Sequence, residues 1–458
     1  MKLYKQEDAI LDKIKRIHMI GIGGSGMCPI AEILHSKGYE LSGSDNNEGD
    51  PLKRVKALGI PVTMGHKPEN VHNAQMVIHS AAIHDDNLEI IEAKRLGIPV
   101  IERSHILGMI TRKFDRVIGV CGTHGKTTVS SMITQILIQN NYKPTAVIGG
   151  KLPLINANGL AGESEYMVCE SCEFVDTFLQ LSPDMSVLLN IDNDHLDYFK
   201  TMENLCASFN KFVNMSSVAV VNGDDDLVKS TVSDFKGEII TFGLSEANDF
   251  YAKDISDGVT GKTFSVYSNG TFLAEIQLSV PGAHNVYNAL AAFAAASYYG
   301  VTAEGIKSSL EQFGGAGRRF ERLGTYKDIA IADDYAHHPT EIKATLTAAK
   351  QLGYNNVIAV FQPFTFSRTA LLKNEFIDAL SIADKVILTE IMGSREVNES
   401  GITSEDLAAG LNDCICVKGF DEVVSVSMSI AKPGDLIITM GGGDIYKAAQ
   451  MICKELQK

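Results

Sequence analysis

Arg116–Leu137 reads RVIGVCGTHGKTTVSSMITQIL, and its interpretation decides the fold. An apolar, β-branched run meets Gly122-Thr123-His124-Gly125-Lys126-Thr127-Thr128, and a helix-like sequence follows. Glycines let backbone amides converge on an anion, and the start of a helix adds its dipole. Lys126 is placed to meet the outer phosphates of a nucleotide, and the Thr127 hydroxyl to ligate Mg²⁺. The spacing is shorter than the full G-x-x-x-x-G-K-[ST] pattern, because Val120 stands where the first glycine belongs. A glycine turn capped by threonine is the plainer alternative. Strand, glycines, Lys-Thr and helix together favour a phosphate loop.

The same grammar recurs along the chain. Short apolar runs end abruptly in glycine, acid, Asn or His, as in RIHMIGIGG, MVCESCE, MSVLLNIDNDH, IAIADDYAHH and DLIITMGGGD. Continuous apolar runs suit strands buried on both faces of a parallel sheet, and alternation with helices predicts an α/β architecture. Ligands gather at the carboxyl ends of such strands, where the polar residues concentrate here. Residues 1–111, 112–320 and 321–458 read as three domains, with a hairpin at Ser268-Asn269-Gly270 and a glycine-rich linker, GGAGRRFE, before the last.

The 458 residues exceed one comfortable core. A net charge of −15 gives no basic field for nucleic acid, though a local anion site needs none. The polar start MKLYKQEDAI does not resemble a signal peptide, and the most apolar helix-like run, 288–300, is too short to span a bilayer. Eight scattered cysteines fit reduced thiols and a cytoplasmic location, and Cys169-x-x-Cys172 lacks the second pair of a zinc site.

Further polar groups sit at predicted strand ends. Glu170 closes YMVCE, and Asn190, Asp194 and His195 close VLLNIDNDH. Near a triphosphate these could hold Mg²⁺, and in isolation each could be a hydrogen-bonded strand-end group. Asn285 and Asn288 precede an alanine-rich run and suit either a purine edge or helix capping. Arg318-Arg319 and Asp333-Asp334 read as phosphate and ribose contacts or as a surface ion pair. Gly21-Ile-Gly23-Gly24-Ser25-Gly26 matches G-x-G-x-x-G, with Asp45 lying 19 residues beyond Gly26. That fingerprint recognises a diphosphate, which a UDP-linked substrate presents as well as a dinucleotide does.

Taken in order, GIGGSGM, HSAAI, GTHGKTT, the Glu170 segment, NIDNDHLD, PGAHNVYN, GRRFE, DDYAHHPTE and FQPFTFSRT cover nearly the whole chain. As a set they resemble the Mur ligases, ATP-dependent amino-acid-adding enzymes of peptidoglycan synthesis. The resemblance implies a Rossmann-like N-terminal domain for a UDP sugar, a central P-loop ATPase domain and a Rossmann-like C-terminal domain that closes over the site. It implies ATP and Mg²⁺ as cofactors, with UDP-N-acetylmuramate and L-alanine as substrates of a monomer or weak dimer. By resemblance, Gly23, Gly24, Ser25, Gly26, Asp45 and Ser80 contact the UDP sugar. Gly122, Thr123, His124, Gly125, Lys126, Thr127 and Thr128 hold the ATP phosphates. Asn285 and Asn288 face adenine, Arg319 reaches phosphate, Asp334 the ribose, and Arg368 the carboxylate of the amino acid. Thr127, Glu170 and His195 are the implied metal ligands, and Lys126, Glu170, His195 and Arg319 the catalytic set.

Two positions depart from the family. Asn210 stands where several members carry a carbamylated lysine, and Phe364 where a His is usual. The expected chemistry is ligation through an acyl phosphate, with Lys126→Ala abolishing it and sparing the fold. Three other readings remain open: a murein-tripeptide recycling ligase, an NAD(P)-dependent oxidoreductase resting on GIGGSG and Asp45, and a nucleotide-gated binding module that binds ATP and UDP sugar without forming an amide.

Overall fold

The computed structural model describes residues 6–458 apart from 259 and 395, and the side chains of 6, 7 and 197 also lie outside it. Three sheets follow one another along the chain. The first joins β1 (Arg16–Ile20), β2 (Glu40–Asp45), β3 (Val62–Met64), β4 (Met76–His79) and β5 (Val100–Glu102). Its order is 3-2-1-4-5 and every pairing is parallel. The order reverses beside β1, which makes the carboxyl end of β1 the switch point where such sheets bind ligands.

The middle sheet has ten strands. They are β6 (Arg116–Cys121), β7 (Thr145–Leu152), β8 (Ala157–Leu160), β9 (Tyr166–Glu170), β10 (Met185–Leu188), β11 (Val218–Asn222), β12 (Glu238–Gly243), β13 (Phe250–Asp257), β14 (Lys262–Ser268) and β15 (Thr271–Gln277). Their order is 15-14-13-12-11-10-6-9-7-8, with β6 flanked by β10 and β9 in parallel. Asn269 and Gly270, both at positive φ, form the turn between β14 and β15 that the Ser-Asn-Gly sequence predicts. The third sheet contains β16 (Glu321–Tyr326), β17 (Ile329–Asp334), β18 (Val357–Phe361), β19 (Lys385–Leu388), β20 (Cys414–Cys416) and β21 (Leu436–Met440). Its order is 16-17-21-18-19-20, parallel except for β16. Alternation along its strands fills both faces: Ala330, Ala332, Val357 and Ala359 pack into one cluster, and Ile329, Ile331, Ile358 and Val360 into another.

The chain divides into two compact units. One holds the described residues through Ala252 together with Val266–Ala274 and Asn288–Leu310, and the other holds Lys253–Ser265, Glu275–Tyr287 and Glu311–Lys458. The first unit has a continuous core that runs from Ile17, Met19 and Ile33 through Ile106, Met109 and Phe114 to Val117, Phe178 and Phe212. Among the described residues, no helix is long and apolar enough to cross a membrane.

A buried polar knot stabilises the first sheet. Glu89, fully buried, accepts from the Ser44 hydroxyl at 2.6 Å and from the Asn70 amide, and lies 3.1 Å from His66 Nδ1 and 3.6 Å from His18 Nε2. Burial alone would raise its carboxyl, but hydrogen bonds from His18, Ser44 and Asn70 outweigh burial and hold it at about 2. The folded-state pKa is depressed, so this stability is complete above the ordinary carboxylate range and is lost as pH falls toward 2. Lowering the pH from 5 to 2 should remove about 3 kcal/mol through this group. Glu89→Gln, whose amide cannot satisfy every donor, should lose about 1–3 kcal/mol at pH 7. Urea midpoints measured against pH check both; parallel profiles for the two proteins would remove the knot from the account.

Candidate functional site

The carboxyl ends of β10, β6 and β9 bring three motifs to one edge of the middle sheet. Val120 of β6 pairs with Glu170 of β9, and Cys121 with Leu188 of β10, so the loops after Cys121, Glu170 and Leu188 emerge side by side. The loop after β6 turns through Gly122 at φ +130° and Gly125 at φ +87°, and the helix Lys126–Gln139 begins at once. Both glycines are required: a Cβ at Gly125 would lie 2.7 Å from Asn288 Oδ1, and one at Gly122 would lie 3.1 Å from the Asn190 backbone. Residues Thr127–Leu137 of that helix are all buried, so its N-terminus is fixed against the sheet.

The loop after β10 laces the phosphate loop into shape. Asn190 accepts from the His124 amide at 2.8 Å and donates to the His124 carbonyl at 3.1 Å, while its own carbonyl accepts from the Thr123 amide at 3.1 Å. Asp192 donates its amide to the Thr123 hydroxyl at 2.9 Å and sets its carboxylate 2.9 Å from His124 Nε2. His124 is therefore anchored by its backbone and by its ring.

Lys126 turns back on its own loop. Its ammonium donates to the carbonyls of Gly122 at 2.6 Å and Thr123 at 3.0 Å and to Glu173 Oε1 at 3.1 Å, with Oε2 at 2.9 Å. Burial alone would lower the lysine pKa, but the Glu173 carboxylate overrides it and raises the pKa above its ordinary value. Glu173 is 1% exposed, so its carboxylate depends on the ammonium rather than on water. Beside this pair, Glu170 Oε1 accepts from the Thr127 hydroxyl at 3.0 Å, and Oε2 accepts from the Gly149 amide at 2.7 Å. A threonine hydroxyl and a carboxylate in contact form an all-oxygen donor pair of the kind hard divalent cations take, so the residues fit Mg²⁺. His195 sits at φ +55° beyond β10, with Nε2 3.5 Å from Asp194 Oδ2 and its ring 4.7 Å from that of Phe174.

At the first sheet, Gly21 starts the fingerprint turn at φ +73°. Asp45, at the end of β2, accepts from the Gly23 amide at 2.8 Å and the Asn47 amide at 2.9 Å. The Gly24 amide donates to the Gly21 carbonyl at 3.0 Å. Ser25 and Gly26 retain amides without a hydrogen bond among the described residues. Ser80 follows β4, the neighbour of β1 across the switch point. The Ser25 carbonyl accepts from Asn158 of β8, which ties this turn to the middle sheet.

The second unit carries Asn285, Arg319, Asp334 and Arg368. Asn285 donates its side-chain amide to the Pro281 carbonyl at 2.7 Å, while Asn288, one turn further along the helix His284–Tyr298, belongs to the first unit. Asp334 Oδ1 accepts from the Ala336 amide at 2.7 Å, and Oδ2 accepts from the Phe320 amide at 2.8 Å and the Thr345 hydroxyl at 3.2 Å. Burial raises the Asp334 carboxyl to about 6, against the pull of Arg319. Arg318 is a staple: it donates to Asp333 Oδ2 at 2.8 Å and to the Gly441 and Gly443 carbonyls at 2.7 and 2.8 Å, and lies between the rings of Tyr335 and Tyr446. Arg319 stacks on the same Tyr335, 5.0 Å from its centroid. Arg368 lies in the helix Phe366–Leu371, and Phe364 packs edge-on against His337 at 5.9 Å. Glu173, Asp192 and Gly149 have structural parts in these sites that the motifs alone do not reveal, and Arg318 forms the ion-pair alternative of the sequence with Asp333, which is buried rather than on the surface.

Three sheets in series, a glycine turn at the first and a Lys-Thr phosphate loop with a facing carboxylate at the second, define a nucleotide-dependent enzyme of the P-loop class. The chain belongs to the Mur ligase family. Residues 16–115 match the family's catalytic domain, residues 120–296 the Mur ligase middle domain, and residues 318–443 the glutamate ligase domain. It is 44% identical over 450 residues to UDP-N-acetylmuramate–L-alanine ligase of Caldicellulosiruptor bescii, covering 96% of this chain and 99% of that one. It is 43% identical over 460 residues to the enzyme of that name from Acetivibrio thermocellus, covering 98% of each. The crystal structure of UDP-N-acetylmuramate–alanine ligase from Thermotoga maritima superposes with a TM-score of 0.83 at 28% identity, covering 97% of this chain and 99% of that one. A murein peptide ligase from Psychrobacter arcticus shares the fold, with a TM-score of 0.75 at 24% identity.

Proposed function

We propose that this enzyme joins L-alanine to the lactyl carboxylate of UDP-N-acetylmuramate, consuming ATP and releasing ADP and phosphate. The observation that carries this reading is the pair of anion-binding turns in one compact unit, one fit for the diphosphate of a UDP sugar and one for a triphosphate. The relatives named above carry that activity over the full length of the chain. An oxidoreductase has no use for the second turn with its Lys126–Thr127–Glu170 set, and a recycling ligase is favoured only by a likeness of fold.

An amine does not displace hydroxide from a carboxylate at a useful rate, so the acid is first activated. The lactyl carboxylate attacks the γ-phosphorus of ATP, ADP leaves, and an acyl phosphate forms. The alanine amine then attacks the acyl carbon, and phosphate departs from the tetrahedral adduct with loss of the amine proton. Thr127 and Glu170 would hold one Mg²⁺ and His195 a second, which together supply charge neutralisation between two approaching anions. Lys126 releases Glu173 and turns its ammonium to the phosphates. Arg368 receives the alanine carboxylate as a bidentate partner, and Asn285, Asn288, Arg319 and Asp334 orient the nucleotide. Residues 1–111, 112–320 and 321–458 serve respectively the UDP sugar, ATP, and ATP with the amino acid.

Phosphate release from ATP, Mg²⁺, UDP-N-acetylmuramate and single amino acids tests the proposal. L-alanine should support turnover and the murein tripeptide should not. Turnover with tripeptide alone would assign the recycling reaction, and nicotinamide binding without ADP formation would restore the oxidoreductase.

A further inference from the structure

Arg103 has no assigned task, and its surroundings supply one. It is the first residue of the helix Arg103–Thr111, directly after β5, and the Glu102 side chain caps that helix by accepting from the Ser104 amide at 2.9 Å. The backbone position of Arg103 is thereby fixed. Its side chain lies over Gly26, the last glycine of the fingerprint turn: a Cβ there would sit 3.0 Å from Nη1 and 3.3 Å from Cζ. A side chain at Gly26 would press on the guanidinium and shift it by a few tenths of an ångström.

Among the described residues the Arg103 guanidinium forms neither a hydrogen bond nor an ion pair, in a chain that carries 56 acids against 41 bases. An arginine beside a turn whose Ser25 and Gly26 amides are also unbonded completes a set of donors with nothing to receive them.

We infer that Arg103 binds the diphosphate of the UDP sugar, closing over it from β5 while the Ser25 and Gly26 amides hold it from β1. The inference rests on the proposed UDP-sugar reading and names a residue that the G-x-G-x-x-G motif does not contain. A guanidinium fork matches two oxygens of one or both phosphates, which an ammonium cannot do.

The test uses the whole enzyme without ATP and measures Kd by calorimetry for UDP-N-acetylglucosamine, which lacks the lactyl carboxylate, and for UDP-N-acetylmuramate. Arg103→Ala should weaken both by the same factor, about 10-fold or more, and leave a non-hydrolysable ATP analogue within about 2-fold. Arg103→Lys should fall between wild type and Ala, since it keeps the charge and loses the fork. Equal loss for both sugars supports the inference. Loss confined to UDP-N-acetylmuramate would overturn it by moving Arg103 to the carboxylate, and unchanged affinities would overturn it outright. A wild-type protein that binds neither sugar would instead refute the functional reading beneath it. Because Arg103 has no hydrogen-bond or ion-pair partner among the described residues, its Ala variant should keep the wild-type melting temperature, which confirms that a lost Kd is not lost fold.

Discussion

Lys126→Ala should reduce product formation by at least about 10²–10³-fold and should also destabilise the protein by about 3–5 kcal/mol. The first effect follows from the proposed role, in which the Lys126 ammonium leaves Glu173 and meets the phosphate charge that develops in the reaction. The second departs from the expectation that this substitution spares the fold. Glu173 is 1% exposed and meets the ammonium at 2.9 and 3.1 Å, so truncating the lysine leaves a buried carboxylate without a counter-charge. The lysine pKa is raised, so its contribution is complete at neutral pH and fades only as pH rises through its folded value. The double variant Lys126→Ala/Glu173→Gln separates the two roles: it should regain most of the stability and none of the activity. Urea midpoints and ADP release measure them independently. A single variant as stable as wild type would mean that Glu173 has another partner; a double variant that turns over would remove Lys126 from the chemistry.

The difference between expectation and structure at Lys126 shows what sequence carries and what it omits. The phosphate loop is legible because strand, glycines, Lys-Thr and helix are contiguous, and each obeys local backbone rules. The β14–β15 hairpin is legible for the same reason: Asn269-Gly270 dictates its own turn. The residues that shape the loop are not contiguous with it. Asn190 and Asp192 reach His124 across 66 and 68 positions, and Glu173 reaches Lys126 across 47, so only register between β10, β6 and β9 brings them together. Carboxylates are the hardest to read. Asp45 and Asp334 each close a strand, where a ligand contact is the natural expectation, yet each accepts two or more hydrogen bonds from its own chain. An acid at a strand end serves ligand or loop equally well by type, and only the geometry tells which donors it already meets. The same limit hides Arg103, a single arginine with no motif around it until the sheet sets β5 near the turn after β1.

Glu170→Gln should lower turnover by about 10²–10³-fold and raise the Mg²⁺ concentration needed for half-maximal activity. The two carboxylate oxygens do different work. Oε1 takes the Thr127 hydroxyl at 3.0 Å, and Oε2 takes the Gly149 amide at 2.7 Å and approaches the Ser130 hydroxyl at 3.4 Å. A carboxamide offers one acceptor oxygen, so it must turn an N–H toward one of these donors. If it keeps the Gly149 contact, Thr127 loses the group that orients its hydroxyl; if it keeps Thr127, a backbone amide beside the loop is left facing another donor. Either arrangement also removes the negative charge that makes the pair suitable for a hard cation. Thr127→Ala removes one oxygen and leaves the carboxylate, so its loss should be smaller and should be recovered in part by added Mg²⁺. Because both residues act through one donor pair, the double variant should be little worse than Glu170→Gln alone. Multiplicative losses would show two independent roles and dissolve the pair; an unchanged Mg²⁺ requirement in Glu170→Gln would take Glu170 out of cation binding and leave it as a strut for Gly149.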